Sequence, residues 1–242
     1  GIFDPLSGRS FASLEAYRQQ AGFDPGTPTI GLLFYGGMHF SQSLVPAKAF
    51  AKRLRAMDVN VVPVFSTAGN NLKAIQSCFM PDAETKIDAA IYFQWFQLTT
   101  FAGASGKTSI ELLKQLDVPV FSACPMYGRE IQKWEESDQG LSPIEALTTV
   151  ILPELDGMIE PLPTAGLVER DSGIVEGSVK QVAAIDDRVE RVCRRIDRWM
   201  RLRTKPNADK RVAFIVYDNP PGEDNLGSAA YLDTFASLKV LF

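Results

Sequence analysis

Thr29-Ile-Gly-Leu-Leu-Phe-Tyr35, running directly into Gly36-Gly37-Met38-His39, is the stretch that decides the fold. Seven nearly continuous apolar residues, bounded by Pro28 and a glycine pair, read as a strand buried on both faces. Such strands belong to parallel sheets covered by helices above and below, because a half-exposed antiparallel strand would alternate apolar with polar residues. Residues 60–65, 89–93 and 118–123 repeat the pattern, and residues 45–57, 71–79 and 108–116 between them carry helical periodicity. A short amphipathic helix near residues 11–20 precedes the series. Strands alternating with helices in this way predict a doubly wound parallel α/β sheet of the Rossmann or flavodoxin type.

Downstream, Ser142-Pro143 supplies a cap and a first-turn proline for a helix expected to run to about residue 151 and to end at Pro153. A fifth strand is expected near residues 157–162, then a polar loop through residue 178 as a domain seam. From 181 to 203, Val182, Ile185, Val189, Val192, Ile196, Trp199 and Leu202 recur every three or four residues, which makes one face of a long helix apolar. Residues 211–217 read as a new strand and 225–241 as a loop and helix. The expected organisation is an α/β domain over 1–178, a connecting helix over 179–208 and the start of a second α/β unit over 209–242. The chain opens at Gly1 and closes on Leu238-Lys-Val-Leu-Phe242 without a glycine or asparagine terminator, so an internal piece of a longer polypeptide is expected.

The 242 residues are 45% hydrophobic and 22% charged with a formal charge of -4, which is ordinary for a globular chain and gives no basic field for nucleic acid. No apolar run approaches the roughly 20 residues of a membrane-spanning helix. Cys78, Cys124 and Cys193 are odd in number and widely spaced, which fits a reducing cytoplasm.

Ala102-Gly-Ala-Ser-Gly-Lys-Thr108 has the look of a phosphate-binding loop, but Phe101 stands where that loop needs its first glycine. As a helix N-terminus the segment could still hold an anion. His39, the single histidine, follows the first parallel strand, where ligands of open α/β sheets bind. Metal delivery or proton removal suits it there; a solvated loop histidine is the plain alternative. Glu154, Asp156 and Glu160 could accept protons or pass on a hard cation, which takes oxygen ligands. Their other use is capping and turn formation around Gly157. Tyr92, Phe93, Trp95, Phe96 and Phe101 span the end of the third strand, Trp95 and Phe96 being the candidates to stack on a flat ring system and sheet core the commoner use. The arginines 188, 191, 194, 195, 198, 201 and 203 are interleaved with Asp186, Asp187, Glu190 and Asp197, so a paired, solvated face competes with an anion clamp.

Seven segments in order carry a family resemblance: Pro28 to Tyr35, Asn60-Val-Val-Pro-Val-Phe65, Leu116-Asp-Val-Pro-Val120, Trp134 to Pro143, Leu152-Pro-Glu-Leu-Asp-Gly157, Leu202 to Lys210, and Asn219 to Asp233. Together they resemble the large, tetrapyrrole-binding subunit of the cobaltochelatase and magnesium-chelatase H family. The resemblance implies a porphyrin or corrin precursor as ligand and Mg2+ or Co2+ as substrate metal. It also implies an AAA+ ATPase partner that hydrolyses the ATP and a further chelatase subunit. In one place the sequence departs from the family, whose first strand commonly runs into Arg-Ser-His and then Asn. Here the histidine is displaced and the arginine is missing. Gly157-Met-Ile-Glu-Pro161 resembles the magnesium branch more than the cobalt branch, and the metal stays open. A small-molecule-binding or sensor module, and an interaction domain with a vestigial crevice, are the competing expectations, because one fold hosts many functions.

Overall fold

The computed structural model describes residues 1–82, 86–100, 102–171, 178–218, 221–222, 227 and 232–241. Phe101 and parts of residues 219–233 therefore lie outside the described residues. The strands are β1 (Ile2–Asp4), β2 (Arg9–Phe11), β3 (Thr29–Tyr35), β4 (Asn60–Ser66), β5 (Ala89–Tyr92), β6 (Val120–Glu130), β7 (Ile159–Asp171) and β8 (Ser178–Ala184). The helices are α1 (Leu14–Ala21), α2 (Phe40–Arg55), α3 (Asn71–Phe79), α4 (Gly106–Leu116), α5 (Ile131–Glu135), α6 (Pro143–Ala146), α7 (Leu152–Leu155), α8 (Asp186–Thr204) and α9 (Thr234–Leu241).

One sheet orders the strands β2-β1-β4-β3-β5-β6-β7-β8. Its centre, β4-β3-β5-β6-β7, is parallel throughout, whereas β1, β2 and β8 add antiparallel edges. In order of appearance the parallel strands run 2-1-3-4-5, the doubly wound order of the flavodoxin type, with the switch point between β3 and β5. The expected fold class holds, as a mixed sheet with a parallel core.

Alternate residues of β3 explain the two layers. Ile30, Leu32 and Phe34 enter a core with Phe50 of α2 and Val189, Val192, Cys193 and Ile196 of α8, while Leu33 enters another with Ile75 and Phe79 of α3 and Leu112 and Leu116 of α4. Gly31 faces α3 so closely that a Cβ would lie 2.7 Å from the Phe79 ring. Only glycine allows that approach without a shift of helix or strand.

Several expectations are corrected. The N-terminal hairpin β1–β2 was not foreseen; its three-residue strands are too short to show a period. β6 continues through Pro125 to Glu130 instead of stopping at residue 123, and β7 reaches Asp171 instead of residue 162. Pro163 and Gly166 made the part of β7 beyond residue 162 look like a loop, and its pairing with β6 is interrupted by register shifts. The helix expected from residue 181 starts at Asp186, since Ser178–Ala184 is β8, paired with β7 across what was read as a seam. α8 does not bridge two domains: its apolar face is sheet core, and the first compact unit runs from Gly1 to Arg203.

The second unit, Thr204–Phe242, contains α9 as expected. The strand expected over 211–217 is not formed. Val212, Ile215 and Tyr217 are exposed, and no neighbouring strand among the described residues offers the segment a ladder, without which a β-prone sequence stays irregular. Among the described residues, no helix is long and apolar enough to cross a membrane.

The helix capped by Ser142 does not stop at Pro153. Ser142 and Glu145 form a reciprocal capping box, and the chain then widens into a π turn, Leu147–Ile151, before continuing as α7. Pro153 has no N–H for the Thr149 carbonyl. That carbonyl instead accepts from Ser122 Oγ at 2.9 Å and Cys124 Sγ at 3.3 Å, and the Thr148 carbonyl accepts the Phe96 amide at 2.7 Å.

Candidate functional site

At the C-terminal ends of β3, β5 and β6 the structure contains a cavity of about 530 Å³, lined by Tyr35, His39, Gln42, Phe93, Gln94, Trp95, Phe96, Tyr127 and Gly128. The size falls within the roughly 300–1,000 Å³ of small-molecule sites. Its position is the topological switch point, where the β3 and β5 connections leave toward opposite faces and open a crevice.

Each wall has a sequence cause. A Cβ on Gly37 would lie 2.3 Å from Tyr35 Oη, and one on Gly36 would lie 2.5 Å from the Phe65 ring. The glycine pair thus lets the β3–α2 turn fold tightly and carry His39 to the cavity rim. Ser43 Oγ closes the turn by donating to the Tyr35 carbonyl at 2.6 Å. His39 is the N-cap residue of α2, with its side chain exposed and making no cap bond. Its ring is therefore not committed to holding the helix.

The aromatic wall follows β5. Trp95 Nε1 donates to the Pro125 carbonyl at 3.0 Å, and its ring stacks on Tyr127 with centroids 6.1 Å apart and planes at 23°. Phe96 meets Trp95 edge-on at 6.3 Å. Phe96 also adopts φ +69°, a left-handed conformation rare for a bulky residue. Such strain persists only where the surroundings over-determine it, and it concentrates at ligand clamps. Gln94, 5% exposed, donates to the Phe34 carbonyl at 3.2 Å. The Tyr127 hydroxyl is buried with no hydrogen-bond partner among the described residues, and burial pushes its pKa up.

Of the residues singled out in the sequence, the structure brings His39, Phe93, Trp95 and Phe96 together around this cavity. Glu154, Asp156 and Glu160 do not line it. They precede β7 or stand at its start, and Asp156 reaches the segment that leaves β5 without lining the cavity. Asp156, 2% exposed, accepts from the Leu98 amide at 2.7 Å, Ser109 Oγ at 2.5 Å and Gln97 Nε2 at 3.3 Å. Burial pushes its pKa up, and these donors oppose the rise. Glu160, at φ +52°, turns to the α8 side, where Arg195 engages it with two nitrogens and Trp199 Nε1 donates at 2.8 Å. The Arg195 guanidinium holds its carboxyl below the usual range. Glu154 is exposed on α7. Among the described residues, no three of His, Cys, Asp and Glu converge to hold a metal ion.

The arginine-rich helix behaves as a paired face: Arg194 meets Glu190, Arg201 meets Asp197 and Arg203 meets Asp117. Arg188 lies over the Trp134 ring, 5.4 Å from its centroid. Tyr35, Gln42, Gln94, Tyr127 and Gly128 were missed as cavity residues. Tyr35 and Gln94 carried a signal, since each stands at a strand end. Tyr127 and Gly128 did not, because they belong to the part of β6 beyond Pro125.

A mixed sheet with a parallel core in the 2-1-3-4-5 order, carrying an aromatic-walled cavity at its switch point, defines a doubly wound α/β protein. More specifically, the chain belongs to the CobN/magnesium chelatase family, whose model matches residues 1–242. It is 30% identical over 256 residues to the magnesium-chelatase subunit ChlH of rice, covering 98% of this chain and 17% of that protein. It is 32% identical over 235 residues to the aerobic cobaltochelatase subunit CobN of Pseudomonas aeruginosa, covering 95% and 18%. Among solved structures, the catalytic subunit of cobaltochelatase from Mycobacterium tuberculosis matches with TM-score 0.64 and 25% identity, over 89% of this chain and 18% of that one. The chain thus spans about a fifth of the length of these relatives.

Proposed function

We propose that this chain is part of the tetrapyrrole-binding large subunit of an ATP-dependent chelatase that inserts Mg2+ or Co2+ into a porphyrin or corrin precursor. The family match over all 242 residues is the observation that carries the reading. The switch-point cavity supports it, since a flat π-system suits the Trp95, Tyr127 and Phe96 rings. In this proposal the aromatic wall holds one edge of the macrocycle and His39 at the rim accepts a pyrrole proton as the metal enters. Gln42 and Gln94 supply polar contacts. ATP is hydrolysed on an AAA+ partner, with a further chelatase subunit completing the complex. Three unbridged, buried cysteines support a reducing compartment, the cytoplasm.

Metal insertion must hold the macrocycle, remove two protons and deliver a desolvated cation, so it needs groups converging from more than one surface. The 242-residue chain incubated alone with ATP, Mg2+ or Co2+ and a porphyrin is therefore expected to release no phosphate above background and to leave the metal-free absorbance spectrum unchanged. Metallation by the chain alone would sink this reading.

A further inference from the structure

We infer that Asp156 is a positioning residue for the aromatic wall: its carboxylate, together with the π-turn carbonyl of Thr148, holds residues 94–98 in the conformation that sets Trp95 and Phe96 on the cavity. This inference rests on the cavity being the ligand site proposed above, and it gives Asp156 a task that needs no contact with the ligand.

The segment leaving β5 has little regular structure to hold it, and Phe96 sits in the left-handed region. A bulky residue leaves that region unless other bonds restrain it. Several restraints act on it. Tyr92 Oη donates to the Trp95 and Phe96 carbonyls at 3.1 and 2.9 Å. Trp95 Nε1 reaches Pro125, and the Phe96 amide reaches the Thr148 carbonyl at 2.7 Å. Immediately afterwards, the Leu98 amide donates to Asp156 Oδ2 at 2.7 Å and Gln97 Nε2 to Oδ1 at 3.3 Å. Oδ1 also accepts from Ser109 Oγ of α4 at 2.5 Å.

Two of these anchors come from one short piece of chain. Pro153 leaves the preceding turn wide, so that its carbonyls face outward to Phe96 and to β6, and Asp156 ends α7 with its own amide bonded to the Pro153 carbonyl at 3.1 Å. Among the described residues, the groups bonded to the carboxylate are all neutral. A buried carboxylate held only by neutral donors is costly where an apolar residue would fill the space. Its bonds to Gln97 and Leu98 fix the wall segment from below, and the bond to Ser109 fixes the carboxylate to α4. Pre-organising an aromatic wall lowers the ordering cost of binding, which is how a residue without ligand contact governs affinity.

The test uses the whole chain and two readouts. The first needs no ligand: the near-UV circular dichroism contributed by Trp95, taken as the difference from Trp95→Phe. The second is the Kd for deuteroporphyrin IX, with far-UV thermal unfolding run alongside. Asp156→Ala is expected to lose most of the Trp95 band and to bind the porphyrin about tenfold more weakly while still unfolding cooperatively. Asp156→Asn keeps an acceptor for the Leu98 amide and falls between wild type and alanine in both readouts. If alanine prevents folding, the asparagine variant carries the test through its intermediate loss. An unchanged Trp95 band in the folded variant overturns the inference, whatever happens to affinity. A lost band with unchanged porphyrin affinity upholds the positioning and overturns instead the tetrapyrrole reading on which it rests.

Discussion

Replacing Phe50 with alanine is expected to destabilise the sheet unit by about 3–5 kcal/mol, the usual cost of removing a fully buried phenylalanine. Phe50 is 0% exposed, on the face of α2 that packs against the parallel strands. Its ring meets Phe93 edge-on with centroids 5.0 Å apart, a geometry that adds about 0.5–1.5 kcal/mol beyond simple burial. Around it lie Ile30, Leu32 and Phe34 of β3 and the apolar face of α8, so a cavity left there cannot close by moving one side chain. Phe93 also lines the switch-point cavity, which makes Phe50 the support behind part of that wall. Urea unfolding checks this: the midpoint should fall with the slope unchanged. A loss below about 1 kcal/mol would mean that α2 is not packed on the sheet as described, since fully buried phenylalanines do not go so cheaply.

Trp95→Ala is expected to weaken porphyrin binding about ten- to a hundredfold, equivalent to about 1.4–2.8 kcal/mol at about 1.4 kcal/mol per decade. The indole is stacked with Tyr127 and pinned through Nε1 to Pro125, so it presents a fixed π face to a planar ligand at small entropic cost. Trp95→Phe keeps a ring but loses the pin, and an intermediate affinity is expected. Absorbance titration of the Soret band measures all three. Equal affinities would place the macrocycle away from this wall.

Much of this was legible in the sequence, for reasons that particular residues make plain. Thr29–Tyr35 and Asn71–Phe79 were read to their boundaries, because a doubly buried strand and an amphipathic helix leave periods of different length. His39, Trp95 and Phe96 line one cavity, as their places after strand ends suggest, because strand ends converge at a switch point and position along a strand is visible in sequence. The carboxylates misled for a different reason. Asp156 and Glu160 look alike on paper, but the turn at Gly157 and the left-handed Glu160 send one toward α4 and the other toward α8. The hairpin β7–β8 was hidden by Pro163 and Gly166, residues that signal loops unless a neighbouring strand tolerates them. Tyr127 was hidden with it, since it joins the site only because β6 passes Pro125.

The most direct measurement on the central claim is a crystal structure of this chain with a metal-free porphyrin. The macrocycle is expected against the Trp95 and Phe96 rings at the ends of β3, β5 and β6, with His39 facing a pyrrole nitrogen. A porphyrin bound on another face of the sheet, with this cavity left empty, would contradict the account.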